Sequence, residues 1–244
     1  MVFGSISEIE PKVYVNEILV PVCDKIMYLG HLISNNESDS VNYGITKFNS
    51  SFNMFMSSFG KCYSSVKSKL FTQYCTSFYG SQLWPLKKNN TIDRISIRWR
   101  IALRKIWNLP FNAHCDLLPL VSNQLPLDIQ LKCRFIKFYR SISMSKNNII
   151  KYISQLKTFS SQSTMSSNLN QILYDLNLDI FEIEFLTLKQ IKELYNDKWL
   201  KEINNLYPIH ARLIYDISMF KERILLNKQE RQDCDYFINF FSII

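Results

Sequence analysis

Glycine and proline are scarce in this chain of 244 residues, at 5 and 7. Barrels and sandwiches need a turn every few residues, so the scarcity argues for long helices. Nowhere is there an apolar run of about 18 residues or more, and Met1 is not followed by a charged and then an apolar segment. Neither membrane spanning nor secretion is therefore expected, and no signal peptide is expected. An intracellular chain, nuclear or cytoplasmic, is the expectation. The six cysteines (23, 62, 75, 115, 133 and 234) form no C-x-x-C pair, and the three histidines stand apart. Neither a disulfide framework nor a zinc site fits that spacing, and small buried thiols are expected instead. No Gly-rich phosphate loop, paired carboxylates or Ser or Cys nucleophile with a neighbouring His is present. No catalytic residue, metal ligand or cofactor is expected in the chain. His114 beside Cys115 is read as packing or capping, because adjacent residues point apart.

What is present is apolar and basic. Hydrophobic residues reach 47%, enough for a packed core. The formal charge is +8, and it is unevenly placed. Residues 61–157 hold 17 Lys and Arg against Asp93, Asp116 and Asp128, a local excess of 14, so the flanks must sum to −6. Such segregation points to a polyanionic partner.

The densest stretch runs from Ile92 to Pro110. At about 100° per residue it makes a helix with Ile92, Ile95, Trp99, Ala102, Leu103 and Ile106 on one arc. Arg94, Arg98 and Lys105 then share one polar flank, and Arg100 and Arg104 another. Before it, residues 1–36 read as short strands: VYVNEILVPV as a hairpin about Asn16-Glu17, and IMYLGHLIS as an extended run bent at Gly30. Four short strands without a cover make no domain of their own.

A helix follows NNESDS, where Ser and Asp are available as caps, and runs to about Lys61 with Ile45, Phe48, Phe52, Phe55, Met56 and Phe59 inward. The next is expected over Tyr63–Trp84, with Val66, Leu70, Tyr74 and Phe78 inward and Lys67 and Lys69 outward. Three prolines, Pro110, Pro119 and Pro126, break the chain after the basic helix, leaving one short helix between Cys115 and Val121. Pro126 opens a helix burying Leu127, Leu131, Phe135, Phe138 and Ile142, with Lys132, Arg134, Lys137 and Arg140 extending the positive surface. A shorter amphipathic helix covers Asn147–Leu156.

Residues 158–168, TFSSQSTMSSN, have linker composition. They separate a basic helical bundle at 37–157 from a C-terminal helical region at 169–244, where acids outnumber bases twelve to nine. Helices are expected there over Leu188–Leu206, Ile209–Asn227 and Asp233–Ile243. The fold class expected is mainly α, with short N-terminal β strands.

Seven phrases occur in series: MVFG at 1–4, MYLGHLIS at 27–34, VKSKLF at 66–71, YCTSFYGSQLW at 74–84, WRIALRKIWNLP at 99–110, HCDLLP at 114–119 and RFIKFYRS at 134–141. In order and spacing they resemble the region after the catalytic palm in reverse transcriptases of LINE-type, non-LTR retrotransposons, which are RNA-directed DNA polymerases. The resemblance implies that the N-terminal strands are the end of a palm sheet, that Tyr28, Leu29 and Gly30 form the primer-grip turn, and that the basic helices are a thumb. The partners implied are RNA and DNA, as template and primer, bound through phosphates by Lys67, Lys69, Arg94, Arg98, Arg100, Arg104 and Lys105, with a palm-bearing polymerase chain as a further partner.

The family's paired aspartates stand upstream of a strand like MVFG and are absent here, as are a zinc knuckle and an endonuclease domain. The magnesium of the parent polymerase would therefore find no ligands, and the chain reads as a polymerase fragment inactive alone. The alternative from the residues is a helical scaffold, or a basic protein of membrane surfaces or other interactions.

Overall fold

The computed structural model describes residues 14–19, 23–34, 36–87, 90–111, 113–160 and 163–208. The helices expected over Ile209–Asn227 and Asp233–Ile243 lie outside these, as do the MVFG strand and Cys234. Among the described residues the protein is mainly helical, with nine α-helices after four short antiparallel strands.

Strands β1 (Tyr14–Val15) and β2 (Ile18–Leu19) form one hairpin, and β3 (Lys25–Tyr28) and β4 (His31–Ser34) another. Both turn on two residues with positive φ, Asn16 (50°) with Glu17 (65°) and Leu29 (47°) with Gly30 (79°). That conformation matches the right-handed twist of short hairpins. The two ribbons do not join into one sheet. The first hairpin and β3 are exposed, while β4 is half-buried and lies against α1 (Glu37–Phe59). Asp39, in the first turn of α1, accepts from Ser34 Oγ at 2.8 Å and pairs with Lys25 Nζ at 3.0 Å, so one carboxylate fastens both strands to the helix. Asn36 caps α1, its side chain accepting from the Ser38 amide at 3.1 Å. The sequence had offered Ser and Asp for that role.

The stripe expected on α1 is buried at Ile45, Phe48, Phe52 and Phe55 and half-buried at Met56 and Phe59. Phe71 stands edge-on to Phe48 and Phe52, with ring centres 6.0 and 5.8 Å apart. Phe71 thereby sets the roll of α2 (Ser64–Tyr74). Lys67, Ser68 and Phe71 turn inward, while Val66 and Tyr74 are exposed. The expected inward set of Val66 and Tyr74, with Lys67 outward, is corrected on that point. Ser68 Oγ also donates to the Ser122 carbonyl at 3.3 Å, holding the same roll.

The helix is also shorter than expected, ending at Tyr74 instead of Trp84. Arg134 donates to the carbonyls of Thr76 and Ser77, taking acceptors that a continuing helix would have used. Phe78 and Gly80 follow at positive φ, and residues Ser81–Leu83 close as a short 3-10 turn.

Helix α3 (Asn90–Trp107) buries all six residues of its expected arc. A short α4 (Leu118–Val121) leads to α5 (Leu127–Ser143), with Pro126 at its N-cap instead of its first turn. Buried on α5 are Leu127, Ile129, Leu131, Cys133, Phe135, Ile136 and Tyr139, whereas Phe138 and Ile142 are only half-buried. Helix α6 (Asn148–Phe159) begins at the cap Asn147.

The segment expected to be a linker is mostly helical: α6 runs to Phe159 and α7 (Thr164–Leu176) starts five residues later. Asn168 is buried, accepting from the Leu86 amide at 2.7 Å and donating to the Trp84 carbonyl at 2.9 Å. Its Ser, Thr and Asn content serves caps and buried hydrogen bonds. Helices α8 (Ile180–Phe185) and α9 (Leu188–Leu206) each open with a capping box, from Asp179 with Glu182 and from Thr187 with Gln190. Among the described residues one hydrophobic cluster runs from Val41 on α1 to Tyr195 on α9, so α7, α8 and α9 share a core with the helices of 37–157.

Candidate nucleic-acid interface

Trp99 orients α3. Its indole is 2% exposed between Ile95 and Leu103, which are fully buried. With that arc fixed, the two basic flanks meet different surroundings.

Arg94, Arg98 and Lys105 are exposed. Arg94 donates to Asn42 Oδ1 on α1 at 2.9 Å, which steadies its guanidinium without neutralising it. Arg98 and Lys105 form no ion pair among the described residues. Lys69, on the outer side of α2, is also exposed.

The other flank is used internally. Arg100 is half-buried and its Nε donates to the Ser96 carbonyl of its own helix at 3.3 Å. Arg104 donates to the Ala113 carbonyl and to Cys115 Sγ, both at 3.0 Å, and its guanidinium lies 5.6 Å from the centre of the Phe111 ring. It pins the loop after α3 and is not presented to solvent as a free cation. Lys67, only 4% exposed, is likewise not on the surface expected for it.

The positive surface expected of α5 is also reduced, with Lys137 alone among its four cations exposed. Lys132 bridges Asp175 of α7 at 2.8 Å and Asp128 at 3.6 Å. Arg134 donates to the carbonyls of Thr76 and Ser77, just past the end of α2, and Arg140 donates to the carbonyls of Ile183 and Leu186 at the end of α8. Burial pushes both guanidinium pKa values down from their usual range. Unpaired backbone carbonyls attract cations for the same reason that phosphates do, and here those at the end of α8 and just beyond α2 take two of the arginines. Sequence gives no sign of this, since Arg134 and Ser77 are 57 residues apart.

The turn read as a primer grip lies at the exposed tip of the second hairpin, where Leu29 is 75% exposed and Tyr28 is exposed beside it. Directly after this turn and opposite Tyr28, His31 lies against Gly80, where an added Cβ would lie 2.1 Å from the ring. Burial holds the His31 pKa below its ordinary value. His114 faces the Tyr207 ring at 5.2 Å between centres, a packing contact. Burial pushes the Cys75 thiol up to about 11, which makes it an unreactive core residue.

Among the described residues no three His, Cys, Asp or Glu side chains gather to hold a metal, and no helix is long and apolar enough to cross a membrane. No family model matches the chain, and no curated protein or solved structure proves similar to it. The likeness to non-LTR reverse transcriptases thus rests on the seven short phrases alone.

Proposed function

We propose that the chain is a nucleic-acid-binding module, equivalent to the thumb and following helices of a non-LTR retrotransposon reverse transcriptase, which grips template and primer through their phosphates. The observation that carries this reading is the exposed row Arg94, Arg98 and Lys105 on a helix whose opposite side is locked into the core. Rigid cations suit a phosphate backbone, and phosphate contacts position a duplex without reading its sequence. Lys69 belongs to the same reading as an outlying contact, and the tip Tyr28, Leu29 and Gly30 would meet the primer end. Lys67, Arg100 and Arg104 act in it as supports of the fold. Catalysis is assigned to a palm carried elsewhere, which would supply the carboxylates for magnesium, since this chain's described side chains offer no such cluster.

Competition binding tests the reading. Duplexes of unrelated sequence and an RNA–DNA hybrid should displace a labelled duplex equally well, and the chain alone should extend no primer. A strong preference for one base sequence, or no binding to any duplex, would contradict it.

A further inference from the structure

Helix α6 is packed inside out. Its buried residue is Ser154, whose Oγ lies 3.4 Å from Ser143 Oγ of α5, and half-buried Thr158 touches Met165 of α7. These small polar side chains let α6 lie close to its neighbours. On the opposite side, Ile149, Tyr152, Ile153, Leu156 and Phe159 are exposed, Phe159 at 82%. The surroundings are basic: Lys146 and Lys157 are exposed there, and no acid occurs between Asp128 and Asp175.

Helix α8 carries the complement. Phe181 and Phe185 share one side, four residues apart, and both are exposed, Phe185 at 86%. Asp179, Glu182 and Glu184 lie around them, with no Lys or Arg between residues 178 and 188. Both helices flank the last turn of α5, α6 through Ser143 and α8 through Arg140. A two-fold axis that sets α6 on the α8 of a second copy also sets α8 on that copy's α6. With aromatic side chains of about 150–250 Å² each, the two faces offer apolar area on the order of 1,000 Å², comparable with the roughly 800 Å² per partner of a stable interface. A bilayer of anionic lipid fits the α6 lysines but is repelled by the acids of the neighbouring α8.

We infer that the α6 and α8 faces form a homodimer interface, the basic apolar face of one copy on the acidic aromatic face of the other. Dimerisation is independent of nucleic acid. The full chain, examined by sedimentation equilibrium without nucleic acid, should be a dimer that weakens as salt rises. Ile153→Ser and Phe185→Ser, both at exposed sites, should each weaken it about tenfold or more. Lys157→Glu and Glu184→Lys should each do the same alone, and mixing the two variants should restore the dimer, because every charge contact is then re-formed. Amide exchange in α6 should slow as protein concentration rises. A monomer at every concentration, a dimer indifferent to these four changes, protection of α6 that does not depend on concentration, or sedimentation of the chain with phosphatidylserine vesicles through α6 would each overturn the inference.

Discussion

Asn168 shows what one side chain contributes here. It reaches back 82 and 84 residues to the Leu86 amide and the Trp84 carbonyl, tying α7 to the segment before α3. Asn168→Ala strands both groups in the core, at about 1–3 kcal/mol each, and urea unfolding should show a loss of that order. Gly44 gives the opposite sign to intuition. In a helix, Gly→Ala ordinarily gains about 1 kcal/mol. Here the new methyl would sit 2.5 Å from the Trp84 ring, which is buried and hydrogen-bonded to Ser40 Oγ at 3.1 Å. Gly44→Ala should therefore lower the thermal midpoint, and a rise would mean that Trp84 yields easily. Trp99→Ala, which empties the centre of the α3 arc, should cost roughly 3–5 kcal/mol in the same urea assay. A cost under about 1 kcal/mol would mean that this arc does not hold α3 in place.

At the scale of elements, the second hairpin is held by few groups, and two of them titrate. The His31 pKa is lowered by burial, so the unfolded chain takes up the proton more readily, and stability falls as pH drops through 6.5. Asp39 is lowered by its hydrogen bonds from Lys25 and Ser34, so its contribution is present above 3.8 and lost as pH falls below it. Between roughly pH 7 and 5 only the His31 effect operates on the hairpin. Amides of β3 and β4 should exchange faster at the lower pH beyond the intrinsic rate, and His31→Gln should abolish that change. β1 and β2, exposed throughout, should exchange almost as an unfolded chain does.

The helices with one clean apolar arc, α1, α3 and α9, were legible in the sequence, because a period of 3.6 and a single buried face leave little choice. Helix α2 was not. With Val66, Leu70 and Tyr74 competing against Phe71, its roll depended on the phenylalanines of α1. Helix α7 was hidden by Ser and Asn, which composition assigns to linkers but which here cap the helix and make buried hydrogen bonds. The first hairpin was readable from Asn16-Glu17 and a bend from Gly30, but the pairing of β3 with β4 across that bend, and the failure of the two hairpins to join in one sheet, were not.

For the whole molecule, two groups stand out among the 17 cations of residues 61–157. Arg104, Lys132, Arg134 and Arg140 hold loops, an acid and helix ends in place, which only the folded chain reveals. Arg94, Arg98, Lys105 and Lys69 are exposed, and these are the cations that the proposed function assigns to an external polyanion. The salt dependence of duplex binding counts the second group directly, since each phosphate contact adds about −0.9 to the slope of log affinity against log salt. The decisive measurement compares the full chain with Arg98→Gln/Lys105→Gln, two exposed positions whose change leaves the core intact. The double variant should keep its unfolding midpoint and bind with a slope shallower by about two units. A parent chain whose binding ignores salt, or a well-folded double variant with the parent's slope, would contradict the assignment of this face to nucleic acid.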